Sequence, residues 1–244
     1  MRPLQKKINV FLVVYFFISI FECYAVDEDF YDADYDVPVS GVYDPIEDWN
    51  RQMWKLNNFL LDKFGKPINE GYVYITTQSV RTSVYNFSHN LSMPLTFVNY
   101  TLQFNIKNAS KSLHSFIINS IFGLFGLFDV AKNNVEKTNF SITLAKYYVP
   151  PGPYLMIPIL GPYNLRGLFG YVVEFVFNPL GYDGLNLANN KINEAYKYGI
   201  TTINGINNLS FVMDGYYSLI DKSFDSYSFI RDAYMQYENN RINK

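Results

Sequence analysis

Residues 44–60 read DPIEDWNRQMWKLNNFL, and this stretch decides the fold class. Asp44 precedes Pro45, and Glu47 follows three positions after Asp44. That spacing predicts a helix start: an acidic N-cap, a proline at the first helical position and a carboxylate reaching back. Ile46, Trp49, Met53, Leu56 and Leu60 then recur at spacings of three and four, one stripe of a helix. Gly65 is the expected stop, with Pro67 beyond it.

The same reading carried along the chain predicts further helices. They cover Gln78 to Phe87, a segment opening at Pro94 with Leu95, Val98 and Leu102 on one face, and Lys107 to Ile121 with Leu113, Phe116, Ile117 and Ser120 on one face. Asn164 is the expected cap of a helix over Leu165 to Phe177. Leu185 to Ile220 reads as mostly helical with possible breaks at Gly199, Gly205 and Gly215. Asp225 to Asn239 carries Tyr227, Ile230, Tyr234 and Tyr237 on one stripe. Strand signal is confined to Tyr154 to Leu160. Pro153, Pro158 and Pro162 surround it, so a Pro/Gly-rich hairpin-like loop is expected rather than a sheet. The fold class is mainly α.

Upstream, Arg2, Lys6 and Lys7 precede an uncharged apolar run from Val10 to Phe21. The run is too short to span a bilayer, which takes about 20 residues, and reads as the core of a signal peptide over residues 1–25. A lipoprotein signal wants small residues before its cysteine. Glu22 stands before Cys23, which argues against lipidation there and favours cleavage after Ala25; a retained N-terminal anchor is the bland alternative. Residues 26–42 form an acidic leader. Nine acids lie between Asp27 and Asp48 with no Lys or Arg among them, whereas Trp49 to Lys244 holds 17 basic residues against 12 acidic ones. Asp32, Asp34 and Asp36 imitate the start of a calcium loop, but Val37 occupies the glycine position and Tyr43 the closing glutamate. No metal is expected.

Composition narrows the function. Charged residues are 17% of the chain, below the usual quarter, while aromatics reach 18%, with 22 Tyr and 21 Phe. A net charge of −2 gives no nucleic-acid footprint. One Cys and two His leave little for a metal site or a disulfide framework. No nucleophile elbow, phosphate-binding loop, zinc-protease helix or dinucleotide fingerprint is present. No catalytic residue and no cofactor is expected, and His89 and His114 read as structural or exposed.

The segment Phe116 to Val130, FIINSIFGLFGLFDV, carries a single charge, Asp129. It is too short to cross a bilayer and reads either as a buried core helix or as a segment lying in one leaflet. Residue physics alone favours the core. Tyr147 to Leu160 is also apolar and irregular.

In combination these motifs resemble the MlaA (VacJ) family. The resemblance rests on Asp44-Pro45-Ile46-Glu47-Asp48-Trp49-Asn50-Arg51 with Asn57, then Lys66-Pro67 and Gly71-Tyr72, then Gln78, Arg81 and Asn86-Phe87. It continues through Asn90-Leu91, Pro94, Val98-Asn99, Asn119, Gly123, Gly126 and Asp129-Val130-Ala131. Thr143-Leu144, Gly152-Pro153-Tyr154, Pro158, Gly161 and Leu165-Arg166 follow, and Arg231 with Ala233-Tyr234 and Gln236 closes it. The resemblance implies a single ring-like helical domain over residues 43–238, followed by a tail at 239–244. It implies a place in the inner leaflet of the outer membrane, and a channel taking misplaced phospholipids to a soluble periplasmic carrier, in association with trimeric porins. It shifts Phe116–Val130 toward leaflet contact. Its members are commonly lipoproteins, which makes Cys23 the lipidation candidate. Asp44, Asn50, Arg51, Asn86, Phe87, Asn119, Gly123, Gly126, Asp129 and Arg166 are the motif residues expected in polar structural contacts or along the channel.

Overall fold

A computed structural model describes residues 41–132, 135–177, 194–221 and 223–243. The expected signal peptide, Cys23, most of the expected acidic leader and the start of the Leu185–Ile220 segment lie outside these residues. The described elements are α1 (Glu47–Leu60), a π-helical turn (Leu61–Gly65), α2 (Lys66–Ile75), α3 (Gln78–Leu102) and α4 (Ile106–Phe122). After them come α5 (Phe140–Lys146), β1 (Tyr154–Ile157), β2 (Gly161–Asn164), α6 (Leu165–Phe177), α7 (Glu194–Asp221) and α8 (Ser226–Asn243). Helix dominates, as read.

Several boundaries differ from expectation. Asp44 does not cap α1: the helix begins at Glu47 with Ile46 at the cap position and no side-chain cap bond. The Asp44 carboxylate is drawn into tertiary contacts instead. Gly65 does not end the first helix, because the π-turn absorbs one extra residue and feeds directly into α2, where Pro67 sits in the first turn and needs no amide partner. Pro94 lies inside α3 rather than at a start. No break occurs at Gly199, Gly205 or Gly215 within α7, and α8 runs on to Asn243. Helix α5, capped by the Asn139 side chain accepting from the Ile142 amide, is an addition to the sequence reading. Asn164 does cap α6: its Oδ1 accepts from the Gly167 amide at 2.7 Å.

The Pro-rich segment forms a true two-stranded antiparallel hairpin, Tyr154 pairing Asn164 and Ile157 pairing Gly161. The surrounding prolines do not prevent it, because α1 supplies the missing partner on the free edge of β1. Asn50 Oδ1 accepts from the Met156 amide at 2.8 Å, and Asn50 Nδ2 donates to the Tyr154 carbonyl at 3.1 Å. One heptad on, Asn57 Nδ2 donates to the Ile157 carbonyl and its Oδ1 accepts from the Ile159 amide at 2.7 Å. Two asparagines on one helix face thus act as a third strand. A buried strand edge requires such partners.

The main apolar core gathers Leu61, Tyr154, Met156, Leu209, Val212, Met213, Tyr216, Tyr227, Ile230 and Tyr234. It joins the first helix and the hairpin to α7 and α8. The ends of the described chain meet here: Tyr227 Oη donates to Asp44, Arg231 approaches the same carboxylate at 3.5 Å, and Arg51 pairs with both oxygens of Asp225.

Candidate functional site: an outward apolar surface over a polar interior

In α4 the buried positions are Ala109, Ser112, Ser115 and Asn119, a small and polar stripe. Ile106, Leu113, Ile117, Ile121 and Phe122 point outward. Helix α3, which packs antiparallel against α4, buries Asn90, Met93, Thr96, Asn99 and Tyr100 while Val98 and Leu102 face out. Helix α6 buries Arg166, Gly167 and Gly170 and exposes Leu165, Phe169, Val172, Val176 and Phe177. A helix in water does the reverse. Small residues between helices and apolar residues outside are the pattern of helices packed in lipid. No described helix is long and apolar enough to cross a membrane.

Residues 121–128 complete this surface. Ile121, Phe122, Leu124, Phe125, Leu127 and Phe128 are all exposed. The buried-core reading of Phe116–Val130 is therefore corrected. The reason is local: α4 ends at Phe122, and Leu124, Phe125 and Gly126 take positive φ, which turns the apolar run away from the body.

Behind the apolar surface lies a polar interior. Asn99 Nδ2 and the Phe140 amide both donate to Glu174 Oε1, at 2.9 and 2.7 Å. The Thr143 hydroxyl donates to Asn99 Oδ1, and Gln103 Nε2 donates to Thr138 and Thr143. Burial pushes the Glu174 carboxyl above its usual range, against the pull of those two donors. Glu238, buried between Arg241 and Arg166, is likewise raised by burial, with the two guanidiniums opposing. These polar groups join α3, α5, α6 and α8.

The motif residues fall in four places. Asp44, Asn50 and Arg51 meet at the junction of the chain ends. Asn50 is fully buried and also donates to Asp44 Oδ1 at 2.7 Å. Asn119, Gly123, Gly126 and Asp129 build the turn after α4. Asn119 Oδ1 accepts from the Val130 and Ala131 amides, and its Nδ2 donates to Asp129. A Cβ on Gly123 would lie 2.2 Å from the Phe128 carbonyl oxygen. Arg166 belongs to the polar interior beside Glu238 and also donates to the Val149 carbonyl at 2.8 Å. Asn86 and Phe87 are half-buried on α3. The sequence reading missed Asn99, Glu174, Thr143 and Glu238. Asn99 and Thr143 were visible only as parts of motifs, and the two acids lay scattered with nothing in their spacing to pair them. Among the described residues no group of three or more His, Cys, Asp or Glu could hold a metal ion.

Known proteins resemble this chain in sequence, and a solved structure resembles it in fold. A protein of Rickettsia bellii, described as uncharacterized, is 34% identical over 218 residues, covering 86% of this chain and 82% of its own. The intermembrane phospholipid transport system lipoprotein MlaA of Escherichia coli is 29% identical over 203 residues, covering 80% and 77%; its Shigella flexneri counterpart matches equally. A solved chain, described under "Structural basis for maintenance of bacterial outer membrane lipid asymmetry", superposes with a TM-score of 0.69. It is 28% identical, covering 82% of this chain and 99% of its own. The model of the MlaA lipoprotein family matches residues 42–241, and the chain belongs to that family.

Proposed function

We propose that this protein transports phospholipids between membranes of a Gram-negative envelope. It takes phospholipids misplaced in the outer leaflet of the outer membrane through an amphipathic channel and passes them to a soluble periplasmic carrier. The observation that carries this reading is the inversion of α3, α4 and α6: apolar side chains outward, Asn, Ser, Thr, Arg and Gly inward. Such a body sits among acyl chains and offers a polar path for headgroups inside, which a lipid conduit requires. The meeting of the chain ends at Asp44, Arg51, Asp225 and Tyr227 supports a closed, ring-like arrangement. The relatives' names support the cargo. Moving a lipid breaks no bond, so no catalytic group is called for.

On this reading the protein is exported through its signal peptide and lies on the periplasmic side of the outer membrane. Trimeric porins hold it there. Asn86, Asn119 and Asp129 are candidates for the channel wall or its supports. Mass spectrometry of the protein extracted from envelopes tests the proposal through its bound lipid and its N-terminus. Bound, intact phospholipid is the expected result. Porin without lipid would point to a scaffold, and released fatty acid to a phospholipase; either overturns the transport reading. The same spectrum distinguishes a start at Val26 from an acylated Cys23.

A further inference from the structure

Many helix C-termini close with one residue in the left-handed region, a position that favours glycine because a Cβ is crowded there. Here two such positions carry aromatic rings. After α3, the Asn105 amide bonds the Tyr100 carbonyl and Phe104 takes φ +58°. After α5, the Val149 amide bonds the Leu144 carbonyl and Tyr148 takes φ +62°. Phe104 is 80% exposed and Tyr148 is 95% exposed. The two turns adjoin, since Tyr147 Oη donates to the Leu102 carbonyl at 2.6 Å. At the other end of α4, Leu124 and Phe125 take φ +51° and +60°, and Phe125 is 75% exposed. Four bulky apolar residues thus occupy strained backbone positions while making little contact with the body. Glycine would be less strained at each, so packing within the protein does not account for the rings.

We propose that these turns are two membrane-seating feet, one at each end of α4, which insert their rings among the acyl chains of a phospholipid leaflet. The 17 residues of α4 separate the feet by about 25 Å at 1.5 Å per residue. Ile106, Leu113, Ile117 and Ile121 form the outward apolar line between them. Two features favour lipid over a protein partner. First, the turns satisfy their own backbone: the amides of Phe104, Asn105, Phe125, Gly126, Leu127, Phe128, Tyr148 and Val149 all donate to carbonyls within the turns. Hydrocarbon demands this, whereas water does not. Second, residues 102–106 and 121–128 hold no charge, while exposed Lys107, Lys111 and Lys132 border them. Lysines beside an apolar patch reach to anionic headgroups while the rings enter the chains. The feet set the depth and tilt of the body, so that the polar interior opens at headgroup level. This inference rests on the membrane seating within the proposed function.

The test uses Phe104→Gly, Tyr148→Gly and Phe125→Gly in the full exported chain. Thermal unfolding in mild detergent and flotation with vesicles of phosphatidylethanolamine and phosphatidylglycerol are measured together. Expected is an unfolding midpoint unchanged or raised, with vesicle partitioning reduced about tenfold for each ring removed, the loss of one buried aromatic. Phospholipid bound to the variants should persist, so loss of seating is distinguished from loss of cargo. A lowered midpoint would mean the rings pack within the protein, and unchanged flotation would mean they do not meet lipid. Dissociation of an oligomer by these variants would assign the turns to a second copy. Each of these three results overturns the proposal.

Discussion

The Asn119 amide and the Asp129 carboxylate meet at 2.9 Å, bracketing the apolar turn that lies between them. Asn119 is buried and spends its whole side chain on this turn, holding the Val130 and Ala131 amides as well. Asp129 is exposed and reaches otherwise to the Lys132 amide at 3.2 Å. The two are therefore unequal. Asn119→Ala strands two backbone amides and should cost about 2–3 kcal/mol, whereas Asp129→Ala should cost about 1 kcal/mol or less. Denaturant titration of both variants checks the order. If Asp129 also lines the conduit, its variant loses lipid transfer while keeping its fold.

Gly126 and Gly199 should respond to alanine with opposite signs. Gly126 has φ +96°, and a Cβ there would lie 2.4 Å from the Asn90 Cβ. Alanine at 126 should cost about 2 kcal/mol or more, from left-handed strain plus displacement of α3 from the turn. Gly199 sits within α7 with nothing within 4 Å of its would-be Cβ. Alanine there should stabilise by about 0.5–1 kcal/mol through helix propensity. Unfolding midpoints of the two variants against the parent measure both.

Hydrophobic spacing located these helices but gave the buried face only in part. In the expected stripe of α1, Ile46, Trp49 and Leu56 are exposed while Met53 packs against the core and Leu60 is buried, and Asn50 and Asn57 are buried beside them. Leu113 and Ile117 repeat that inversion on α4, as do Val172 and Val176 on α6. The period of a helix is a property of the backbone and is legible locally. Which face turns inward depends on the solvent outside, and the inward rule presumes water. In α8 the presumption held: Tyr227, Ile230 and Tyr234 are core residues. The Asn164 cap was legible because its partner lies three residues away. Asn50 and Asn57 were legible as motif residues but not as strand partners, because their contacts lie about a hundred residues distant.

Glu174 and Glu238 make stability depend on pH in a defined direction. Both carboxyls are raised by burial above the ordinary glutamate value of 4.5. The unfolded chain therefore releases these protons first. Their contribution is fully present below the unfolded value and is lost as pH rises through the folded one. Glu174→Gln keeps an oxygen for the Phe140 and Asn99 donors and removes the buried charge, so it should flatten the stability profile above pH 4.5. Glu238→Gln should flatten the profile in the same direction but by less, because Arg166 and Arg241 favour the charged form that burial disfavours. Denaturant unfolding of each variant from acidic to neutral pH reads both slopes, and a Glu174→Gln profile parallel to the parent's would refute the assignment.

Asn50 and Arg51 are neighbours in one motif, yet their removal should differ several-fold in cost. Asn50 is fully buried and joins three elements: it donates to Asp44 and to the Tyr154 carbonyl, and it accepts from the Met156 amide. Asn50→Ala leaves a strand edge and a buried carboxylate short of partners, and should cost about 3 kcal/mol or more. Arg51 forms a two-pronged pair with Asp225, at 3.0 and 2.7 Å, with both side chains about a third exposed or more. Water screens such a pair, so Asp225→Asn should cost only about 0.5–1 kcal/mol. Its effect should also vanish with acid. The guanidinium holds the Asp225 carboxyl well below the usual carboxylate range, so the pair's contribution is present above the ordinary aspartate value and fades as pH falls through the depressed one. Parent and Asp225→Asn should therefore converge in stability at strongly acidic pH, while Asn50→Ala, which lost no charge, should stay below both throughout. Stability profiles that remain parallel for parent and Asp225→Asn would place the closure of the chain ends on the Asp44–Tyr227 contact instead of on the Arg51 pair.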